Sequence, residues 1–212
     1  TYYSNNANEL PSPFKALQMG NVWRADRPQR GRFRQFMQCD IDILGEPTYL
    51  AEIELILATT TLLGKLDFKN FTIRINNRKI LKGMAKYCGF PEESYDDVFI
   101  ILDKMDKIEM SGVEEELLEA GYAAESVAKC KQLFETVTND IEGVRYIKET
   151  LDDCLEEGVA EDLETIISTV ESVKSADFRI AFDPTLVRGM SYYTGPIFEI
   201  AMDEFGGSVG GG

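Results

Sequence analysis

Histidine is missing altogether from this 212-residue chain. That removes imidazole general bases, Ser-His triads and His-ligated metals together. The four cysteines (Cys39, Cys88, Cys130, Cys154) are scattered, with no Cys-x-x-Cys. A disulfide framework or a thiolate zinc site is not expected, and a reducing, cytoplasmic setting fits. No apolar run approaches membrane-spanning length and no secretory signal opens the chain, so no membrane partner is expected. Basic residues are scarce, 22 against 37 acidic, for a net charge of −15. That sign argues against nonspecific nucleic-acid binding over the whole surface and leaves room for a local anion site. Hydrophobic residues make up 44% of the chain and aromatics 10%, which is enough for packed domains and argues against disorder. Thr1 is not an initiator, and the glycine-rich run 206–212 stops in what reads as a loop. The chain reads as a piece of something longer.

Against the acidic background stand two arginine-centred phrases. Five arginines (Arg24, Arg27, Arg30, Arg32, Arg34) and one Asp fall within residues 24–34. Arg188 opens Arg188-Gly189-Met190-Ser191-Tyr192-Tyr193-Thr194-Gly195. Residues 92–177 hold 25 Asp and Glu against 7 Lys and Arg. Cations gathered against that background are expected to meet an anion.

Periodicity predicts strands at Leu17–Arg24 and Arg34–Leu44 around the arginine-rich turn. In the second, Met37, Cys39, Ile41 and Ile43 share one face, expected to pack on a helix. Arg34, Phe36, Gln38, Asp40 and Asp42 share the other, expected to be open. Pro47 can open a helix to about Leu63, with Gly64 as its stop. Phe71–Ile75 reads as a strand and Asn76-Asn77 as a turn. A helix is expected near Arg78–Tyr87, stopped by Gly89. Ser94 with Asp97 resembles a capping box before Val98, Ile101, Leu102, Met105 and Ile108. Helices are further predicted at Val113–Ala120, Ala124–Val137, Ile141–Cys154 and Ala160–Ser175. Strands return at Phe178–Phe182, Thr185–Met190 and Pro196–Met202. The division expected is a sheet domain, residues 1–78 and 178–212, interrupted by a helical insertion, residues 79–177.

Guanidiniums present planar forks of donors that suit phosphate. The 24–34 cluster is thus either a phosphate site or a solvated, positively charged hairpin. Phe36, Gln38 and Asp42 could stack a base, orient a polar group and pair a cation. They could equally be a half-exposed strand face, and Asp40 competes for any role of Asp42. Arg188 with Tyr192 and Tyr193 is a ligand-binding turn or an ordinary hairpin. Residues 206–212 lack the Gly-Lys-Ser/Thr end of a P-loop, and a flexible terminus is the alternative.

Together the two phrases resemble histidyl-tRNA synthetase, a class II aminoacyl-tRNA synthetase. Residues 20–45 are similar to the family's motif 2, and residues 185–200 to its Arg-Gly-x-x-Tyr-Tyr-x-Gly segment. The resemblance implies an α+β fold, the class II antiparallel catalytic sheet interrupted by a helical insertion. It implies that Arg24 would grip the α-phosphate of ATP and Phe36 would lie against the adenine. Gln38 would hold the amino end of histidine or the adenylate. Asp42, where relatives often carry Glu, would accept from the imidazole. Tyr193 would face the other imidazole nitrogen with Tyr192 beside it, and Arg188 would contact the carboxylate and α-phosphate as they react. Ser191 stands where relatives often have Asp. The implied partners are L-histidine, ATP with Mg²⁺, and histidine tRNA, with no protein-held metal and a homodimer in the full-length protein. The alternative is a non-catalytic paralogue, either a regulatory subunit of ATP phosphoribosyltransferase or a tRNA-sensing domain. Such paralogues erode the catalytic arginines, whereas Arg24, Gln38, Arg188 and both tyrosines stand here.

Overall fold

A computed structural model describes residues 2–29, 32–188, 192–202, 204 and 207–212. Contacts divide the chain into two compact units, Thr1–Ala58 and Thr59–Gly212. Arg30 of the cluster, Gly189 to Ser191 of the second phrase and the start of the glycine run lie outside the described residues.

The first unit holds a short helix α1 (Tyr2–Asn6), strands β1 (Phe14–Trp23) and β2 (Gln35–Leu44), and the start of helix α2 (Leu50–Lys65). The strands pair antiparallel, with Leu17 opposite Ile41 and Gly20 opposite Gln38. Directly opposed residues share a face, so the alternation read from sequence holds. The expected helix over the apolar face does not. Leu17, Met19 and Met37 are 64%, 68% and 64% exposed, and Cys39 is exposed too. Two strands alone have no second layer to bury that row. Helix α2 starts at Leu50 and not at Pro47. Glu46 takes both the backbone N–H and the hydroxyl of Thr48, closing a turn ahead of the helix.

In the second unit four strands run in the order β4 (Phe178–Phe182), β3 (Phe71–Asn77), β5 (Pro196–Met202), β6 (Gly207–Gly211). Central β3 alternates strictly at its start, with Phe71, Ile73 and Ile75 at 0% exposure. Phe71 stacks on Phe178 of β4 at 5.3 Å between ring centroids. β3 and β4 are parallel, while the other two pairs in this sheet are antiparallel. Parallel neighbours need a long crossover. It is supplied by the helices between them: α3 (Arg78–Cys88), α4 (Tyr95–Leu102), α5 (Met105–Glu119), α6 (Ala124–Thr136), α7 (Ile141–Leu151) and α8 (Val159–Val173). Helices α3 and α8 touch β3, and α7 and α8 touch β4. This helical segment and the four-stranded sheet therefore belong to one compact unit. No helix among the described residues is long and apolar enough to cross a membrane.

Local chemistry explains most boundaries. The Asn77 side chain accepts from the Lys79 N–H and starts α3, and Gly89 ends it with φ 85°. Asp140 caps α7 through the Gly143 N–H. The capping box at Ser94 does not form. A 3-10 turn from Glu92 runs into α4, leaving Ser94 already helical with no side-chain cap bond. Helix α5 begins at Met105 and breaks at Glu109, whose φ is 59°. Gly64 lies inside α2 and not at its end, and the Ala176 Cβ stands 2.9 Å from where its own Cβ would be. Thr185–Arg188, expected as strand, has no strand pairing, and Gly207–Gly211, expected as loop, is a strand on β5.

Candidate functional site

The hairpin gathers its polar face by strand register alone. Phe36, Gln38, Asp40 and Asp42 stand opposite Val22, Gly20, Gln18 and Ala16. Arg24 follows β1, and its N–H bonds the Arg34 carbonyl at 2.8 Å. Its guanidinium lies 5.0 Å from the Phe36 ring centroid, and Nη2 reaches Gln38 Oε1 at 3.5 Å. Gln38 Nε2 donates to Asp40 Oδ1 at 2.6 Å, while Gln18 Nε2 donates to Asp42 Oδ2 at 2.9 Å. Arg24, Phe36, Gln38 and Asp40 thus form one connected row. Asp42 lies on the same face, engaged by Gln18. Two other arginines of the cluster are used by the turn itself. Arg32 pairs with Asp26 at 3.2 Å, and Arg34 Nε donates to the Asp26 carbonyl at 3.3 Å. The turn is closed by reciprocal Gln29–Arg32 backbone bonds of 3.1 and 2.9 Å.

Arg188 sits in a different environment. Its Nη1 donates to the Phe198 carbonyl at 3.3 Å and lies 3.6 Å from Glu199 Oε2. Gly211 passes directly beside it. A Cβ on Gly211 would overlap the guanidinium and come within 2.6 Å of the Phe198 carbonyl. The segment leading to Arg188 is tied down by groups that the sequence reading did not single out. Arg74 Nε donates to Asp183 Oδ2 at 2.6 Å, and Asp183 Oδ1 accepts from both N and Oγ1 of Thr185. Asn76 Nδ2 donates to the carbonyls of Pro184 and Leu186 at 3.3 and 3.2 Å. The Asp183-Pro184-Thr185 run is a turn signal that would have identified this bend.

Carboxylates lie around these guanidiniums. Arg74 also pairs with Asp106 at 3.1 Å. Burial lowers the affinity of Arg74 for its proton, but Asp183 and Asp106 together hold it above the usual arginine range. Burial pushes the Asp103 carboxyl up, opposed by the charge of Lys107 and, more weakly, of Arg188 and Arg74.

Tyr192 and Tyr193 pack edge to face at 5.1 Å, and Tyr192 is 82% exposed. Tyr193 lines a cavity of about 290 Å³ with Arg78, Tyr95 and Asp96, a cavity that Arg188 does not line. Arg78 is buried, donates to Asp96 at 3.4 Å and lies 4.7 Å from the Phe99 ring. Burial depresses its guanidinium, partly countered by Asp96.

Comparison with known proteins shows the family of the chain. The family model described as histidyl-tRNA synthetase matches residues 2–212. A histidine–tRNA ligase of Leifsonia xyli subsp. xyli is 44% identical over the whole chain, which covers 50% of that protein. The chain spans about half the length of the curated relatives it matches. The crystal structure of histidyl-tRNA synthetase from Nostoc sp. PCC 7120 superposes with a TM-score of 0.80 at 28% identity, covering 96% of this chain and 47% of that one. A Bacillus halodurans protein described as an ATP phosphoribosyltransferase regulatory subunit/histidyl-tRNA synthetase superposes at 0.78 with 18% identity, covering 97% and 52%. At that identity the likeness concerns the fold alone.

Proposed function

Because the chain belongs to the histidyl-tRNA synthetase family, we propose that the full-length protein activates L-histidine with ATP and transfers it to histidine tRNA. A carboxylate oxygen of histidine attacks the α-phosphorus of ATP, and pyrophosphate leaves with its Mg²⁺. A hydroxyl at the tRNA 3′ end then attacks the adenylate carbonyl, AMP leaves, and the hydroxyl proton passes to the leaving phosphate. Neither step needs a protein imidazole, so a chain without histidine can perform both. The work is positioning and charge neutralisation.

Roles follow the residues. Arg24 grips the α-phosphate, and Phe36 stacks on the adenine. Nucleotide would then replace the Arg24–Phe36 contact, an exchange of about 0.5–1 kcal/mol at an exposed site. Gln38 holds the amino end, Asp42 accepts from the imidazole, and Tyr193, with Tyr192 beside it, meets the other ring nitrogen. Arg188 stabilises charge developing between carboxylate and phosphate. The observation that carries the reading is the held state of Arg188, fixed by the Phe198 carbonyl, Glu199 and the bare backbone of Gly211. Such a fixed guanidinium suits a group that must already be in place when charge develops.

The reading includes a cytoplasmic homodimer and residues 79–177 as an insertion in the catalytic domain, supported by the unbroken run of helices between β3 and β4. Broad tRNA contact through that insertion is not part of it. Lys104, Lys131, Arg145, Lys148 and Lys174 are each paired with a glutamate there. The test is pyrophosphate–ATP exchange by the full-length protein, expected with histidine only. Equal exchange with another amino acid rejects the specificity. No exchange at all rejects the ligase in favour of a regulatory paralogue.

A further inference from the structure

Three consecutive residues where β3 passes into α3, Asn76, Asn77 and Arg78, hold both sides of the Arg188–Tyr193 segment. Asn76 is fully buried, at 0% exposure, and all its polar capacity points along the chain. Its Oδ1 accepts from the Asn77 N–H at 2.8 Å. Its Nδ2 donates forward to the Pro184 and Leu186 carbonyls, the latter two residues before Arg188. Asn77 pairs with Pro196 in the β3–β5 ladder. The Arg78 N–H then donates to the Gly195 carbonyl at 2.9 Å, two residues after Tyr193. The segment entering Arg188 is thus held by a side chain, and the segment leaving Tyr193 by the backbone beside it.

A side-chain amide is the group this geometry requires. Thr185–Arg188 has no strand partner, so ladder bonds cannot fix its carbonyls. The carbonyls of Pro184 and Leu186, two residues apart, are both satisfied here by the two N–H donors of one amide nitrogen, which an Asn or Gln side chain supplies and a hydroxyl does not. Any other short side chain leaves at least one carbonyl unpaired away from water. We propose that Asn76 is a positioning residue for the reaction. Through the Pro184 and Leu186 carbonyls it sets the path of the backbone that delivers Arg188, and it touches no substrate itself. The inference rests on the ligase reading for its catalytic consequence, and on geometry alone for its structural one.

The experiment uses the full-length protein with Asn76→Ala, which removes both donors, and Asn76→Ser, which retains one. Two measurements separate the two claims. Hydrogen exchange followed by mass spectrometry should show faster exchange across Pro184–Arg188 in Asn76→Ala, with Phe71–Ile75 still protected. Single-turnover adenylate formation should fall about tenfold or more, since displacement by an ångström can cost about 10²-fold. The Michaelis constant for ATP should stay within about threefold, because ground-state binding is not what is lost. Asn76→Ser should fall between the two. A folded Asn76→Ala protein with wild-type exchange and rate overturns the proposal. Equal loss of protection in Phe71–Ile75, or failure of both variants to fold, makes Asn76 a general support of the sheet and overturns it as well. If the wild-type protein itself shows no histidine-dependent exchange of pyrophosphate, the ligase reading fails, and the hydrogen-exchange result still decides the positional claim.

Discussion

The two arginines assigned to phosphate are held in opposite ways. Arg24 lies on an exposed two-stranded hairpin, with a ring beneath it and one bond at the outer limit of length. Arg188 is bonded to a strand carbonyl, and its backbone is anchored by a buried carboxylate and a buried amide. The first arrangement would let a side chain exchange partners if, as proposed, a nucleotide binds there. The second would place a cation before the proposed reaction begins. A donor that stabilises only the transition state gains most from being fixed in advance. A donor that captures a substrate tolerates motion.

The sharpest break in that comparison is Arg188→Ala in the full-length protein. In the proposed reaction, negative charge grows on the α-phosphate oxygens as the carboxylate attacks. Losing one placed donor costs on the order of 10²–10³-fold in rate. Single-turnover adenylate formation should fall by that factor, with much smaller changes in the Michaelis constants. Arg188→Lys should recover only part, because an ammonium cannot span two acceptors at once. A folded alanine variant with a near-wild-type rate would make Arg188 a structural residue.

Gly211→Ala tests whether the fixed position itself matters. The added Cβ would occupy the guanidinium's place and press on the Phe198 carbonyl. Arg188 must then move, and an ångström of misplacement can cost about 10²-fold. Adenylate formation should drop toward that level, while ATP affinity assigned to the Arg24 side persists. An unaffected rate would mean that Arg188 works from more than one position.

Asp183→Ala sharpens the comparison on the side of stability. Asp183 is 5% exposed and accepts from Arg74 and Thr185. Removing one partner of a buried pair costs about 3–5 kcal/mol. Asp106 remains beside Arg74, so a loss nearer about 2–3 kcal/mol is expected. Urea unfolding should report it as a lower midpoint with the same slope. Arg24→Ala, on the exposed hairpin, should stay within about 0.5 kcal/mol of wild type.

The same contrast explains what could be read from the sequence. The hairpin face was legible because alternation assigns Phe36, Gln38, Asp40 and Asp42 to one side whatever lies elsewhere. The helix signals at Asn77 and Gly89 were legible because caps are local. Thr185–Arg188 was misread as strand because its apolar residues, Leu186 and Val187, are buried without pairing. The carbonyls of Pro184 and Leu186 are taken by Asn76, more than a hundred residues earlier in the chain, and no local pattern announces that. Asn76 itself read only as a turn residue. The glycines of β6 read as loop because glycine disfavours strands, yet the run pairs with β5 and the space Arg188 occupies leaves no room for a side chain at Gly211. The apolar face of β2 was assigned a covering helix on pattern alone, and the described residues leave it exposed.

The smallest effect distinguishes two carboxylates on the hairpin. Asp40 accepts from Gln38, and Asp42 from Gln18, with the four side chains on one face. If Asp42 receives the imidazole, Asp42→Asn keeps its shape and turns an ionic acceptor into a neutral amide. A hydrogen bond to a charged group is worth about 1.5–3 kcal/mol, of which a neutral carbonyl oxygen keeps part. Histidine affinity should therefore weaken roughly tenfold, with ATP affinity unchanged. Asp40→Asn acts differently, because it loosens Gln38 and leaves Asp42 in place. It should weaken binding of the amino end, and so lower affinity for histidine and for its ring-altered analogues alike, with ring selectivity kept. Titrating both variants with histidine and with a ring-substituted analogue separates the roles. An Asp42→Asn protein with wild-type histidine affinity, beside an Asp40→Asn protein that has lost ring selectivity, would move the imidazole contact to Asp40.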